Sequence, residues 1–133
     1  FEFDKDVAMV VGSRFKGGSE ELSSSPQEMV RRVGNMLSTF IINTRWRVCL
    51  SDTQNGFRAV RRSAALALDL QEDTFAIEQE LTMQCLKRRM KIVEIPSFEL
   101  KRAHGSSHIV FGKMLPVYIS CFFRQVFSRD TSS

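Results

Sequence analysis

The chain is poor in residues that would assign it to several common classes. It has one Trp and one Tyr against eleven Phe. Most of its rings therefore lack a polar tip and seek a core, a partner or a lipid interface. Three cysteines, Cys49, Cys85 and Cys121, are far apart and odd in number. They show neither a metal-ligand spacing nor a disulfide framework, and a reducing compartment is the default. The two histidines, His104 and His108, flank Gly105, Ser106 and Ser107. Without a third ligand they do not make a zinc site. No apolar run reaches the ~20 residues of a bilayer-spanning helix. No signal peptide is visible. The start, Phe-Glu-Phe-Asp without an initiator Met, reads as the middle of something longer.

The 133 residues are 43% hydrophobic and 26% charged, which suits one globular unit with a modest core. The net charge is +4, and the cations cluster. Arg31-Arg32, Arg58 with Arg61-Arg62, Lys87-Arg88-Arg89 and Lys101-Arg102 are the dense spots. Such clusters suit an anionic lipid, a phosphorylated ligand or a nucleic acid, or simply solvated helix faces. Neither a stacking platform of aromatics nor a nucleic-acid-binding signature accompanies them, so no nucleic acid is expected.

Val7–Val11 is a short apolar run closed by Gly12, as in a buried strand. Gly- and Ser-rich residues up to Pro26 read as a loop, and Pro26 suits the first turn of a helix. Met29, Val30, Val33, Met36, Leu37, Phe40 and Ile41 then recur at helical spacing. Asp52–Gly56 reads as a turn, Phe57–Val60 as a very short strand, and Ser63 as the cap of a helix over 64–70. A second helix is expected over 75–89, with Phe75, Ile77, Leu81 and Cys85 inward. Lys91–Ile95 and Phe98–Leu100 are strand candidates, and Ala103–His108 is a loop. The apolar tail from Ile109 to Phe127 reads as a core helix or an interfacial amphipathic one. This order of elements points to an α/β fold with too few strand–helix units for a complete doubly wound sheet.

Three segments carry the chemistry. They are Asp6–Phe15 with its Gly-Ser-Arg end and Gly17-Gly18, then Asp52–Ala59, then Glu94-Ile95-Pro96 with Arg102–His108. Arg31–Asn35 and Glu78-Gln79-Glu80-Leu81 lie between them. Together these resemble the family 2 glycosyltransferases of GT-A type that act on polyprenyl or dolichyl phosphate. Those enzymes carry Gly-Ser-Arg, Asp-x-x-x-Gly-Phe-Arg, Glu-x-Pro and Arg-x-x-Gly-x-Ser in this order. The resemblance covers residues 6 to 108. It implies a partial GT-A, Rossmann-like fold lacking the N-terminal nucleotide-binding half. Residues 1–108 would be the acceptor-side half, and residues 109–133 an apolar or amphipathic C-terminal helix and tail.

The resemblance also implies roles. Arg14, an Arg of the following helix (Arg31 or Arg32), Arg102 and Ser106 would meet the acceptor phosphate, and arginine suits that task because it binds phosphate oxygens in pairs. Asp52 is the candidate catalytic acid, with positioning of the sugar or holding of Arg58 as alternatives. Ser13, Gly56, Phe57, Arg58, Glu78 and Glu80 would line the substrate-site loops. Glu78 and Glu80, two apart on a helix, cannot share a face, so one would face the site and the other solvent. His108 stands where the family often has Lys. The parent reaction would move a hexose from a nucleotide sugar to a polyprenyl phosphate or related acceptor, at the cytoplasmic face of a membrane. Mg2+ or Mn2+ would be held in the upstream half, and no metal by this chain. On this reading the chain is inactive alone. The alternative from another class is a non-catalytic module that binds an anionic, phosphate-bearing ligand.

Overall fold

The computed structural model describes residues 4–18, 26–73, 76–98 and 111–128. Strand β1, Val7–Ser13, is buried along nearly its whole length, as its continuous apolar run requires. A short helix α1, Arg14–Gly17, follows directly, and α2 spans Pro26–Trp46. Strand β2, Arg58–Val60, and helix α3, Arg62–Ala67, come next. Helix α4, Ile77–Lys87, leads into β3, Lys91–Pro96, and α5 covers Phe111–Phe127.

The sheet order is β2-β1-β3. β2 runs antiparallel to β1, with Val11 opposite Arg58. β3 runs parallel to β1, with Val11 opposite Glu94 and Ser13 opposite Pro96. The carboxyl ends of β1 and β3 therefore lie side by side, the edge where open α/β sheets place their ligands. The α/β expectation matches this mixed architecture.

α4 is the central helix. Leu81 and Cys85 pack on Met9 and Val11 of the sheet. Met83 and Leu86 pack on Ile42 of α2 and on Phe122 and Val126 of α5. Residues Gln79 to Lys87 are all buried, so α4 is not amphipathic in the expected way. Ile77 is exposed instead of inward, and Phe75 lies outside the described residues. Its buried polar groups are partnered, as burial demands. Glu80 Oε2 accepts from the backbone N–H of Gln71 at 3.0 Å and of Glu72 at 2.8 Å. Its Oε1 accepts from Gln125 Nε2 at 2.9 Å. Lys87 Nζ donates to Gln125 Oε1 and to Ser128 Oγ. α5 is thus fixed to α4 by polar contacts as well as by packing.

Several local expectations change. Arg61, not Ser63, precedes α3, and that helix is short. Phe98 is not in a strand, and residues 99–110, with the Arg102 and Ser106 motif, lie outside the described residues. Of the apolar stripe of α2, Ile41 packs on the core and the other six members are exposed, because the inner side of that helix is held by Asn35, Thr39, Ile42 and Asn43. Glu80 does not face solvent. It is fully buried.

Three hydrogen bonds to one buried carboxylate make Glu80 a strong structural determinant. Glu80→Ala should lower the unfolding free energy by about 3 kcal/mol, read from urea denaturation. Lys91→Ala, which removes an exposed pair with Asp4, should leave the urea midpoint nearly unchanged.

Candidate functional site

Ser13 ends β1 and caps α1, its Oγ accepting from Lys16 N at 3.3 Å. α1 is pressed against the chain after β3. A Cβ on Gly17 would stand 2.2 Å from Ser97 O, so no side chain fits there. Gly18 follows at φ 110, a left-handed conformation that favours glycine. These two glycines let the chain turn sharply at the strand end and place Arg14 over the edge of the sheet.

Residues 51–57 fold onto the same edge. Asn55 Nδ2 donates to Gly12 O at 2.8 Å and to Ser97 Oγ at 3.2 Å, and its Oδ1 accepts from Phe57 N at 3.0 Å. Gly12 N donates to Phe57 O at 2.8 Å. The turn is thereby stitched to the end of β1, with the Phe57 ring exposed.

At the centre Asp52 meets Arg14. Arg14 Nε donates to Oδ2 at 2.7 Å and its Nη2 to Oδ1 at 3.1 Å. Asn35 Nδ2 of α2 adds a bond to Oδ1 at 3.2 Å, and Gln54 N another at 3.3 Å. Asp52 is 1% exposed, whereas the Arg14 side chain keeps 22% exposure. Burial pushes the Asp52 carboxyl up, but the hydrogen bonds and charge of Arg14, with Asn35, outweigh it and hold the group below the usual range. Asp52 is an ionised anchor for Arg14.

Glu94 stands behind this pair. Its Oε1 accepts from Ser51 N at 2.7 Å and Asp52 N at 3.0 Å. Its Oε2 accepts from Ser51 Oγ at 2.9 Å and pairs with Lys16 Nζ at 3.0 Å. Burial raises its pKa, yet the Asp52 N–H, Lys16 and Ser51 outweigh that and hold the carboxyl below its ordinary range. Ser13 Oγ and Ser51 Oγ are hydrogen-bonded at 2.6 Å. The sequence marks Glu94 only as part of Glu-x-Pro. Its grip on two backbone N–H groups could not be read from spacing.

Arg58 turns inward. It donates to the backbone oxygens of Asn55, Thr53 and Glu78 and to Thr82 Oγ1. It fastens the 51–57 turn to α4. Glu78 is the acid of the Glu78/Glu80 pair on the site side. A Cβ on Gly56 would stand 2.6 Å from Glu78 Oε1, so the glycine makes room for this carboxylate. Burial raises its pKa, Asp52 adds to that, and Arg58 and Arg14 oppose it. Its carboxylate accepts no hydrogen bond among the described residues, so a substrate hydroxyl could be met there.

α5 contributes Tyr118, which sequence reasoning missed. Burial and Glu78 push its hydroxyl up to about 12, against the pull of Arg31 and Arg58. The charge of Arg31 of α2 reaches this hydroxyl, and Arg32 follows it on the same helix. Both are exposed.

A divalent cation does not fit these carboxylates. The oxygens of Asp52 and Glu94 are taken up by cations and N–H donors. Among the described residues no group of three or more His, Cys, Asp or Glu could hold a metal. An Asp-x-Asp spacing occurs at Asp4-Lys5-Asp6. It lies at the amino end of β1, away from the site, where Asp4 pairs with Lys91 and accepts from Asp6 N.

Comparison with known proteins gives a relationship to glycosyltransferases. The chain is 31% identical over 97 residues to "Glycosyltransferase AglJ" of Haloferax volcanii, covering 73% of this chain and 31% of that protein. It is also 31% identical over 90 residues to "Uncharacterized protein MJ1222" of Methanocaldococcus jannaschii, covering 66% of this chain and 36% of that one. The chain therefore spans about a third of the length of the curated relatives it matches. No family model matches it, and no solved structure does.

Two titrations test the electrostatics. Asp52 and Glu94 have folded pKa values below their ordinary 3.8 and 4.5, so their stabilisation is present above those values and lost as pH falls through the lower folded ones. Asp52→Asn should be less stable than the parent at pH 7, and the gap should close in acid, measured by thermal unfolding across pH. Glu78 has the opposite sign: its raised pKa means that ionisation opposes folding. Glu78→Gln should match or exceed the parent stability at pH 7 and lose that advantage near pH 4.

Proposed function

We propose that this chain is the acceptor-side part of a glycosyltransferase that moves a hexose from a nucleotide sugar to a polyprenyl-type phosphate. The observation that carries the reading is the Arg14 guanidinium, oriented by a buried, ionised Asp52 and still partly open to solvent at the carboxyl edge of the sheet. A guanidinium fixed in this way loses little freedom on meeting a phosphate, and its planar fork matches two phosphate oxygens.

In this reaction a phosphate oxygen of the acceptor attacks the anomeric carbon of the hexose. A bond forms there as the bond to the nucleoside diphosphate breaks, and that diphosphate leaves. The attacking oxygen is already anionic, so no base has to remove a proton. This agrees with an Asp52 committed to Arg14. On this reading Glu78 accepts a hydroxyl of the bound sugar. Arg31 of α2, with Arg102 and Ser106 from outside the described residues, would complete the phosphate contacts.

Mg2+ or Mn2+ would supply charge neutralisation for the diphosphate in such chemistry, and on this reading its ligands and the donor pocket would belong to the rest of a longer protein. The chain alone would bind acceptor without turning over a nucleotide sugar. The reading places the protein at the cytoplasmic face of a membrane.

The test is binding of a water-soluble, short-chain prenyl phosphate to the full chain, followed by 31P NMR. Arg14→Met should weaken it at least tenfold, ~1.4 kcal/mol. Arg14→Lys should recover only part of the loss, since a lysine cannot make the paired contact. Equal binding by parent and Arg14→Met sinks the proposal. Turnover of a nucleotide sugar by the chain alone sinks the acceptor-half reading while leaving the Arg14 site intact.

A further inference from the structure

α2 is built the wrong way round for a helix of a self-contained domain. Its polar side chains point inward. Asn35 reaches Asp52 at 3.2 Å, Thr39 Oγ1 is 2.9 Å from Thr53 Oγ1, and Asn43 both donates to Leu50 O at 2.8 Å and accepts from Leu50 N at 3.0 Å. Ile42 completes this inner side in the core. The opposite side is a row of large apolar groups. Met29, Val30, Val33, Met36, Leu37 and Phe40 are each 57–67% exposed. At ~100° per residue these six fall within a stripe of about 120°, the width that a buried helix face normally has. Rotating the helix to hide the stripe would break the contacts of Asn35, Thr39 and Asn43 together.

The charge on α2 says what the stripe faces. The helix's one carboxylate, Glu28, precedes the stripe, and from Met29 onward its charges are Arg31, Arg32 and Arg45, the last bonded to Val126 O of α5. Arg31 and Arg32 are exposed in the same half of the helix as Met29, Val30 and Val33. An apolar stripe flanked by exposed arginines is the pattern of a helix lying in the headgroup layer, with its apolar groups among the acyl chains and those arginines on lipid phosphates. No helix among the described residues is long and apolar enough to cross a membrane.

We infer that the outer face of α2 lies flat on an anionic lipid surface. The inference rests on the proposed function for the meaning of that surface, because it makes the membrane-facing helix also a wall of the acceptor site. Asn35 touches Asp52 from one side of α2 while Met36 and Leu37 point away on the other. The Arg14–Asp52 pair then sits about one helix diameter, ~10 Å, above the lipid plane. That is within reach of a phosphate carried by a chain anchored in the leaflet. It adds α2 to the C-terminal tail as a lipid contact: in α5, Phe122 and Val126 are committed to the core, while Ile119, Phe123 and Phe127 stay exposed.

Co-sedimentation of the full chain with phosphatidylcholine vesicles, with and without phosphatidylglycerol, tests this directly. The chain should bind the anionic vesicles and release them as salt rises. The double variant Leu37→Glu/Phe40→Glu should lose vesicle affinity on the order of tenfold or more. Its thermal unfolding should be unchanged, because both side chains are exposed. It should still bind the soluble prenyl phosphate, whereas Arg14→Met should lose the phosphate and keep the vesicles. Failure of the parent to bind anionic vesicles, or undiminished binding by the double variant, overturns the inference and leaves the Arg14 site standing. A parent dimer that the double variant converts to monomer, without vesicle binding by either, assigns the face to a second copy and overturns it as well.

Discussion

Asp52 and Arg14 come from segments 38 residues apart, and each would be unstable in its position without the other. A carboxylate with 1% exposure needs a cation and N–H donors to remain charged, and it has Arg14, Asn35 and the backbone of Gln54. An arginine at a strand end needs a fixed partner to hold one direction, and Asp52 supplies two parallel bonds. Three elements converge on the pair: α1 at the end of β1, the 51–57 turn, and α2. Much of the remaining structure supports that meeting. Glu94 grips the backbone of the turn, Arg58 fastens the turn to α4, and Gly17 lets α1 lie against Ser97.

The second constraint is the burial of α4 on all sides. A helix enclosed by sheet, α2 and α5 cannot expose its polar residues, so each needs a partner of its own. Glu80 takes two backbone N–H groups of the preceding segment and the Gln125 amide, and Lys87 takes Gln125 and Ser128. These contacts decide how α5 sits, and α5 in turn carries Tyr118 to the mouth of the site. The polar interior of the helix layer and the geometry of the site are therefore one arrangement.

What the sequence reveals follows from what local pattern can encode. The apolar run Val7–Val11 and the turn chemistry of 52–56 mark a strand and a turn without tertiary context, and the structure has both. The ordered motifs foretell which segments gather, because strand ends are where backbone and side chain must be specified together: Ser13-Arg14, Asp52–Phe57 and Glu94 do share one edge. Orientation is harder. Periodicity locates the stripe of α2 but cannot say whether it faces core or surroundings, and the decision lies with Asn35, Thr39 and Asn43 on the other side. The two-residue offset of Glu78 and Glu80 separates their faces correctly. It cannot show that both faces are covered, since that depends on α5 arriving from more than thirty residues away. Tyr118 is hidden within an apolar tail for the same reason.

Lys16, Ser13, Ser51, Glu94, Asp52 and Arg14 form a run of contacts that begins and ends on α1, with two of its links made by the backbone N–H groups of Lys16 and Asp52. The side-chain links constrain inheritance more than the backbone ones. Replacing Glu94 leaves both Lys16 and Ser51 without their acceptor, and replacing Asp52 leaves both Arg14 and Asn35 without theirs. These positions are therefore expected to drift together, retained or exchanged in groups among descendants. The imprint of the site in diverging sequences would then be a pattern of joint retention at widely spaced positions, with unrelated variation between them.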